Sequence, residues 1–434
     1  MNKLSNYNYE VSIDETTNVF YNSISDKILI LNKDESLKVN YLLNNLQEFE
    51  RDFPSIFQAF CAWHFIIDKK INEIDFIKEN YLKTILNNST LDLTINPTLD
   101  CNFNCWYCFV TENISQKKGT KMSNNVKEKI LRLIEKKVKS REINVLNLGW
   151  FGGEPLLFYD EIFYEITNNA KQICEKYGCA YSNSIISNGY LLDNNKIKYM
   201  KSINMISMQI TIDGCERKHN KIRNENGKNS YKKIISNIIV ASNILEKTQL
   251  LIRINYDKTT LNNVEEIIND LNSVNKKNVL IDLQKVWQVS DSESLSIQFE
   301  EARNKFVSAG FNTRIWAFKP SRYFSCVFDK NNSFAINYDG NIFKCVSRDY
   351  TTPLASISDD GDILFNDHAN DYSARNVFDI QTCVKCKELP MCFGPCLQKI
   401  VENTNLEDAC VLKLSETKVE DYIKIRAYDV IKKI

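Results

Sequence analysis

Three cysteines that are close together in the sequence are the residues best suited to chemistry. Cys101, Cys105 and Cys108 lie in the stretch Cys-Asn-Phe-Asn-Cys-Trp-Tyr-Cys. A loop with this spacing can wrap its thiolates around one soft metal centre. A structural zinc site takes four protein ligands, and so does an ordinary four-iron cluster. The run stops at three, since the next cysteine is Cys174. The open corner of the metal centre is typical of a catalytic site.

Zinc is the alternative for the same residues. Paired cysteines are generic zinc ligands, and a distant fourth ligand could complete a zinc knuckle. The aromatic residues between the thiols, Phe103, Trp106 and Tyr107, favour a buried cluster because they would exclude water and oxidants from it.

Seven further cysteines form a second set toward the C-terminus. In this set Cys326 precedes Gly340, and Cys345 follows that glycine after four intervening residues. A compact Cys-x2-Cys-x5-Cys-x3-Cys group and one last cysteine come next: Cys383, Cys386, Cys392, Cys396 and Cys410. The remaining cysteines are expected to be small buried apolar residues, and they are Cys61, Cys174, Cys179 and Cys215.

A β/α alternation that begins at Leu91 provides the scaffold for the first three thiols. Apolar strand-like runs alternate with amphipathic helices about six times, which indicates a parallel sheet with helices outside. Chemistry in such sheets lies at the carboxyl ends of the strands, and the thiol loop follows the first strand. The predicted strands are Leu91–Ile95, Val145–Phe151, Ser184–Ser187, Ile206–Ile212, Leu250–Asn255, Val279–Val286 and Thr313–Ala317.

Turns rich in glycine and polar residues follow three of these strands. The second strand leads into Gly152-Gly153-Glu154-Pro155, where two glycines would let a ligand approach the backbone and the carboxylate could accept from an ammonium group. The third ends in Ser187-Asn188-Gly189 and the fourth in Asp213-Gly214. Each is also compatible with a plain turn. Further polar candidates come next in the chain: Arg223, Arg253 and Asn255.

With Cys-x3-Cys-x2-Cys and an aromatic residue before the third cysteine, the loop resembles the signature of the radical S-adenosylmethionine (SAM) superfamily. The resemblance implies that Cys101, Cys105 and Cys108 hold a [4Fe-4S] cluster whose fourth iron chelates SAM. One electron from the cluster would cleave SAM to a 5′-deoxyadenosyl radical, which abstracts a hydrogen atom from the substrate. The family's Gly-Gly-Glu turn binds the SAM amino group. The implied cofactor-binding residues are Tyr107, Gly152, Gly153, Glu154, Ser187, Asn188 and Asp213.

The second set of cysteines resembles the SPASM domain, whose pattern Cys…Gly-x4-Cys…Cys-x2-Cys-x5-Cys-x3-Cys…Cys it matches in full. The resemblance implies two auxiliary [4Fe-4S] clusters and therefore three clusters in all. Seven thiols cannot fill two four-ligand clusters, so one corner stays open. A zinc ribbon is the alternative. The resemblance assigns Cys326, Cys345 and Cys396 to auxiliary cluster I, and Cys383, Cys386, Cys392 and Cys410 to auxiliary cluster II.

Composition narrows the functional classes. The 434 residues carry 55 basic and 55 acidic side chains, so net charge gives no argument for binding nucleic acid or an anionic membrane. The sequence has no apolar run of transmembrane length and no signal-peptide core at its start. We therefore expect a cytoplasmic protein. In a large chain without an export signal, 14 cysteines suggest metal sites rather than disulfides. The three histidines are scattered, so sulfur is expected to provide the metal ligands.

Residues 1–88 predict a small α+β module that precedes the alternation. Its hairpin strands are Asn18–Tyr21 and Lys27–Leu31, and its helices are Leu37–Leu46 and Ile74–Leu86. The module is either a structural cap or a peptide-docking element whose hairpin edge pairs with an extended peptide. In pattern it is weakly similar to the winged-helix elements that bind leader peptides in peptide-maturing radical SAM enzymes.

The expected fold is α/β and has three parts. A partial (β/α)6 radical SAM barrel spans 89–316, the α+β module spans 1–88, and a cysteine-rich SPASM domain spans 317–434. The resemblance implies modification of a peptide or protein side chain, with a cross-link such as a thioether in a ribosomal precursor peptide as the expected product. An electron donor such as flavodoxin or ferredoxin is the expected partner besides the substrate.

Two other functions stay open. Anaerobic sulfatase-maturing enzymes share this architecture and form formylglycine. They resemble this chain less closely, since their second SPASM cysteine precedes an Asp that acts as a base, whereas Val346 follows Cys345 here and cannot accept a proton. The alternative outside enzymes is an iron–sulfur or zinc scaffold. The Gly-Gly-Glu turn speaks against it, because a scaffold needs no SAM site.

Overall fold

A computed structural model describes residues 1–108, 110, 119–225, 227–286, 293–315, 318, 323, 326–346, 350–373, 377–402, 405–413, 415 and 417–431. The chain divides into two compact units. The terminal unit consists of Met1–Leu86, Ile315–Lys330 and Arg375–Ile434, and the sheet unit of Asn87–Arg314 and Asn331–Ala374. Because each unit joins separate segments of chain, the domain boundaries predicted from the sequence stay a prediction.

The regular elements are numbered in chain order. The strands are β1 Asn2–Leu4, β2 Asn8–Ser12, β3 Thr17–Asn22, β4 Lys27–Asn32, β5 Ile66–Asp68, β6 Thr90–Ile95, β7 Val145–Trp150, β8 Ala180–Ser187, β9 Met205–Ile212, β10 Asn224–Glu225, β11 Lys228–Asn229, β12 Gln249–Tyr256, β13 Val279–Lys285, β14 Asn312–Thr313, β15 Ser333–Ile336, β16 Asn341–Phe343, β17 Ala355–Ile357 and β18 Ile363–Phe365. The α-helices are α1 Lys33–Asn44, α2 Leu46–Asp52, α3 Pro54–Ala62, α4 Glu73–Ile85, α5 Asn124–Lys139, α6 Glu165–Tyr177, α7 Asn194–Ser202, α8 Glu216–Ile222, α9 Tyr231–Ile244, α10 Lys258–Asn262, α11 Val264–Asp270, α12 Glu293–Ser308, α13 Ala369–Ser373, α14 Gln381–Val384, α15 Leu389–Cys392, α16 Leu397–Val401, α17 Leu406–Ala409 and α18 Val419–Ile431. Short 3-10 turns cover Pro155–Phe158, Val327–Asp329 and Val377–Asp379, and a π-helical turn covers Tyr159–Tyr164.

The sheet unit is built on one large sheet, in the order β14-β13-β12-β9-β8-β7-β6-β15-β16-β17-β18. Its strands are parallel from β14 through β6 to β15, and antiparallel from β15 to β18. The predicted α/β class with a parallel sheet is confirmed. The helices follow the strands as the alternating sequence pattern predicted.

Alternation along the strands separates a core face from an open face. On β6, Leu91, Leu93 and Ile95 are almost fully buried, whereas Asp92 and Thr94 between them are partly exposed. The buried face packs in one apolar cluster with α5 and the other outer helices. Full burial of each such aliphatic side chain contributes about 1.5–3 kcal/mol. The opposite face of β6 is polar and partly exposed.

The end of the alternation differs from the sequence prediction. Strand β14 covers only Asn312–Thr313 of the predicted Thr313–Ala317 region, and 316–317 lie outside the described residues. Strands β15 to β18 extend the sheet beyond β6 and were not predicted. They are short, three or four residues each, so they carry little periodicity for a sequence pattern to reveal.

The terminal unit contains the predicted hairpin as β3 and β4, with β2 completing the sheet β2-β3-β4. The predicted helices are confirmed as α1 and α4, while β1, β2, α2 and α3 were missed. Tyr21 of β3 packs in one core with Tyr422 and Ile423 of α18. Asp26 accepts from Arg426 at 2.8 Å, so the two ends of the chain share a core. Among the described helices, none is both long and apolar enough to cross a bilayer.

Candidate active site

The thiols of Cys101, Cys105 and Cys108 line one cavity of about 370 Å³ in the sheet unit. Because the thiol loop follows β6, the cavity lies at the carboxyl edge of the sheet. Its volume suits a small-molecule ligand or cofactor. The turns after β7 and β8 line the same cavity, through Gly152, Gly153, Ser187 and Asn188.

The loop offers three thiols and a buried hydrogen-bond donor to an iron–sulfur cluster. Among the described residues, no three His, Cys, Asp or Glu side chains are placed to hold one ion. In a four-iron cluster each thiolate binds a different iron, which requires a wider separation. The Nδ2 atom of Asn102, next to Cys101, is buried and has no hydrogen-bond partner in the described chain. Such a donor can serve a cluster sulfur, and hydrogen bonds of this kind tune cluster potentials.

The aromatic residues of the loop differ from one another in exposure. Phe103 is buried, at 3% exposure, and its ring contacts Tyr190. Trp106 is 60% exposed, so the expectation that all three rings shield the thiols is wrong for this residue. Burial raises the pKa of the Cys101 thiol to about 12, with the Glu154 carboxylate adding to the shift. Ligation of a metal by this thiol would therefore release a proton.

Gly152 and Gly153 bring the end of β7 against the start of the thiol loop. Gly152 has φ +108°, and a Cβ atom on Gly153 would lie 2.0 Å from the carbonyl oxygen of Asp100. The Gly153 N–H donates to Thr98 at 3.0 Å, and the Glu154 N–H donates to Asp100 at 2.9 Å. The sequence predicts that both glycines let a ligand approach the backbone. In the structure the backbone of the thiol loop occupies part of that space as well.

Glu154 is fully buried behind the cavity wall, and its carboxylate joins β7 to β8. It accepts from the Ser187 hydroxyl at 2.9 Å, the Asn188 N–H at 2.8 Å and the Leu156 N–H at 3.1 Å. Burial raises its pKa to about 7, although these donors oppose the shift. A carboxylate has about four acceptor positions, so one remains for a further donor.

Asn188 connects the third strand to the thiol loop. Its Nδ2 group donates to Asn102 Oδ1 at 2.8 Å and lies 3.8 Å from Cys101 Sγ. Its Oδ1 atom accepts from the Tyr190 N–H at 2.9 Å, which fixes the orientation of the amide. The predicted residues of β7, β8 and the thiol loop thus form one connected network.

A second network holds Tyr107 to the far side of the sheet. The Tyr107 hydroxyl lies 2.7 and 2.6 Å from the two carboxylate oxygens of Asp213. It accepts from Arg223 Nη2 at 2.8 Å and from Asn255 Nδ2 at 2.9 Å. Arg223 and Asp213 also form an ion pair, in which the Asp213 side chain is 1% exposed. Asp213 thus holds Tyr107 and Arg223, and its expected contact with the cofactor stays a prediction.

His219 is a neutral side chain that supports this network through hydrogen bonds. Its Nδ1 atom accepts from the Asp213 N–H at 3.2 Å, so the ring proton is on Nε2, 3.1 Å from Ser230 Oγ. The Ser230 hydroxyl in turn donates to the Arg223 carbonyl oxygen at 2.5 Å. Burial lowers the pKa of His219 to about 3, and the nearby Arg223 charge adds to the shift. The loop that carries Asp213 and Arg223 is therefore fixed at both ends.

The thiol cavity lies in a segment of the chain that matches a known protein family. Residues 95–279 match the model of the radical SAM superfamily. This chain carries a radical SAM domain. The matched segment includes the thiol loop and every strand end that lines the cavity up to β12. Such a domain implies one [4Fe-4S] cluster and SAM, and the match supports enzyme activity.

One curated protein and two solved structures are similar to this chain over most of its length. The radical SAM cyclopropyl synthase TigE of Paramaledivibacter caminithermalis is 22% identical over 437 residues, covering 92% of this chain and 90% of that protein. The structure of native anSMEcpe with bound AdoMet (SAM) and Kp18Cys peptide gives a TM-score of 0.56 at 18% identity, covering 80% of this chain and 100% of that one. Streptococcus suis SuiB bound to precursor peptide SuiA gives a TM-score of 0.50 at 15% identity, covering 94% and 100%. At these identities the two structural matches show the fold alone.

The radical SAM cavity also contains residues that the sequence analysis passed over. Gln209 and Thr211 of β9 line it, as does Lys285 at the end of β13. Arg253 and Asn255 of β12, noted only as candidates, line it too. Two of these residues alternate along β9, and Arg253 and Asn255 alternate along the neighbouring parallel strand β12. This alternation of polar residues is the sequence signal that could have identified them.

The cysteines of the second set lie partly together in the terminal unit. Burial raises the pKa of Cys392 to about 12, and the nearby Cys386, Cys383 and Cys410 thiols add to the shift. These are the four thiols that the resemblance assigned to auxiliary cluster II. Helix α16, which begins after Cys396, contacts the 3-10 turn that follows Cys326. Cys345 belongs to the sheet unit.

Proposed function

We propose that this radical SAM enzyme matures a ribosomally made precursor peptide by forming a cross-link, such as a thioether, on one of its side chains. The observation that carries the proposal is the thiol cavity, which is also lined by a polar wall formed by Thr211, Arg253 and Asn255. A wall of this kind can hold a peptide side chain beside SAM. SuiB with its precursor peptide SuiA supports a peptide as the substrate class.

The cavity residues have separate roles in this proposal. Cys101, Cys105 and Cys108 would hold the cluster, which with SAM supplies a radical able to abstract hydrogen from an unactivated carbon. Glu154 keeps one acceptor position for the SAM amino group. The Asp213–Arg223 pair keeps Tyr107 in place next to the third thiol, so the ring can form one side of the cofactor site.

The second set of cysteines would hold the clusters that accept the electron released when the proposed cross-link forms. Closing a carbon–sulfur bond removes one hydrogen atom from carbon and, from the thiol, one proton and one electron. We assign that electron to the two auxiliary clusters that the SPASM resemblance implies, one of them held by Cys383, Cys386, Cys392 and Cys410. Three four-iron clusters in one chain then explain ten of the cysteines. A flavodoxin or ferredoxin would supply the electron that starts the reaction.

The terminal unit provides the proposed docking edge for the precursor peptide. Strand β4 pairs only with β3 among the described strands, so its other edge is open. Its residues from Ile28 to Leu31 are partly exposed and aliphatic. An extended peptide can add to such an edge through main-chain hydrogen bonds, while the side chains select its sequence.

Two other products define the test. The more distant resemblance to anaerobic sulfatase-maturing enzymes leaves formylglycine formation as an alternative, but Val346 beside Cys345 cannot act as a base. TigE, by its name, raises cyclopropane formation as a second alternative.

We would incubate the reconstituted enzyme with SAM, dithionite and either a sulfatase-type peptide or a cysteine-containing peptide encoded beside its gene. Mass spectrometry should show a loss of about two hydrogens on the second peptide only, as removal of two electrons and two protons requires.

Alkylation with iodoacetamide separates the cross-links. A thioether removes one alkylatable cysteine from the product, whereas a cyclopropane leaves every thiol reactive. An aldehyde on the sulfatase-type peptide, with the precursor peptide unchanged, would reverse the assignment.

A further inference from the structure

Cations line the radical SAM cavity, and acidic side chains do not. Arg223, Arg253 and Lys285 are lining residues, whereas none of the described lining residues is Asp or Glu. Arg223 has its own counter-ion in Asp213. The guanidinium of Arg253 on β12 therefore adds a positive charge to the cavity wall, which attracts anions in a partly enclosed space.

Arg253 has the geometry of an anion receptor. Its Nε donates to Asn255 Oδ1 at 3.0 Å, and neither of its Nη atoms hydrogen-bonds a residue in the described part of the chain. Neither Nη atom is buried without a partner, so both are accessible from the cavity. Its pKa is lowered by burial, against the opposing effect of Asp282. A partly desolvated guanidinium gains most from an ionised, hydrogen-bonding partner.

The carboxylate opposite Arg253 has other partners. Asp282 pairs in register with Arg253 on β13. Its Oδ1 atom accepts from Gln284 at 2.7 Å, and its Oδ2 atom lies 3.7 Å from Arg314 Nη1. Asn255 thus fixes the orientation of the Arg253 guanidinium, while no acidic side chain of the described strands forms a hydrogen bond with its Nη atoms.

SAM is poorly placed to supply the missing anion. Its one carboxylate lies next to its amino group, which we assign to Glu154 after β7. Strand β12 is three strands away from β7, or about 14 Å along the sheet. The carboxylate that reaches Arg253 is therefore expected from a second molecule in the cavity.

We propose that Arg253 is a specificity-determining residue that binds a carboxylate of the substrate, either an Asp or Glu side chain or the C-terminal carboxylate of the peptide. The inference rests on the proposed peptide substrate. A bidentate contact to the guanidinium fork fixes both the position and the direction of the bound group. The peptide residue next to that carboxylate would then lie against the SAM side of the cavity.

Three capped amino acids test the proposal without any turnover. They are N-acetyl-glutamic acid α-amide, N-acetyl-glutamine amide and N-acetyl-alanine with a free carboxylate. Each is titrated calorimetrically into the anaerobically reconstituted, SAM-loaded enzyme. We expect at least one acid to bind about tenfold more tightly than the glutamine probe, as a charge-assisted pair gives. Arg253→Gln should abolish that preference, and the exposed control Arg217→Gln should keep it.

Each other outcome overturns the proposal. Equal affinity of the wild-type enzyme for the acids and the amide, or no binding of any probe at millimolar concentration, removes the anion site. Loss of SAM binding in Arg253→Gln would assign the guanidinium to SAM. Failure of the proposed function would be seen separately, as absence of any peptide product with the wild-type enzyme. Preference for the side-chain acid or for the free terminus identifies the source of the carboxylate.

Discussion

The hydroxyl group of Tyr107 lies 2.7 Å from Oδ1 and 2.6 Å from Oδ2 of Asp213, which is 106 residues away in the sequence. This contact joins the residue before the third thiol to the end of β9. Together with Arg223 it forms a largely buried, charged and hydrogen-bonded group. A satisfied network of this kind makes the local structure rigid, and removal of one member is costly because it leaves a buried charge or donor without its partner.

Asp213→Asn should therefore be more damaging than Tyr107→Phe. The first change leaves the buried Arg223 without its counter-charge, at a cost of about 3–5 kcal/mol. The second removes one hydroxyl, at about 1–3 kcal/mol. Denaturant midpoints of the anaerobically reconstituted protein measure both, with the exposed Tyr428→Phe as control. Equal midpoints for Asp213→Asn and Tyr428→Phe would contradict the role of the pair.

Gly153→Ala should displace the thiol loop. A Cβ atom there would lie 2.0 Å from the Asp100 carbonyl oxygen, a contact that requires the backbone to move. Gly178→Ala is the matched control, because its φ of +71° imposes strain but its Cβ would meet nothing within 4 Å. We expect the control to lose about 1–2 kcal/mol and to keep its iron. Retention of full iron content by Gly153→Ala would show that the loop tolerates the displacement.

The affinity for SAM should depend on pH through Glu154. Burial raises the pKa of this carboxyl to about 7, so it is charged above that pH and neutral below it. If it binds the SAM ammonium group, affinity falls as the pH drops through 7, by up to about tenfold per unit. Glu154→Gln should bind SAM weakly and without this dependence, as equilibrium dialysis between pH 6 and 8 would measure. A parallel decline in both proteins would exclude Glu154 as the titrating group.

Iron content tests the proposed number of clusters. Three four-iron clusters give about 12 irons per chain, and loss of one gives about eight. Cys105→Ala should lose the SAM cluster and all 5′-deoxyadenosine formation. Cys392→Ala should lose an auxiliary cluster and the peptide product while retaining some SAM cleavage, and Cys61→Ala should behave as wild type. About four irons in the wild-type protein, or stoichiometric zinc, would contradict the three-cluster proposal.

Hydrogen exchange tests the docking edge. Addition of the precursor peptide should slow exchange in β4, Lys27–Asn32, because its outward amides become hydrogen-bonded. Exchange in β5, Ile66–Asp68, serves as the control within the same unit. Deletion of the whole module is a poorer test, since Tyr21 shares a core with Tyr422 and its removal would expose that core. Protection confined to the sheet unit would leave residues 1–88 as a structural cap.

The sequence by itself determined the local features of this protein. The spacing of Cys101, Cys105 and Cys108 determined the thiol loop, and the alternation of apolar runs determined the parallel sheet and its order of helices. These features can be predicted because each depends on residues within a few positions of one another. The rule that parallel strands place chemistry at their carboxyl ends then led to Gly153, Glu154 and Asn188.

The tertiary structure decided which partners those residues have. Asp213 follows a strand, and the fold brings it together with Tyr107 and Arg223 in a buried network. Arg253 became prominent only when its strand neighbour Asp282 proved to be engaged elsewhere. Contacts between residues far apart in the chain depend on packing and on competition among charges, and a single sequence carries no local signal for either.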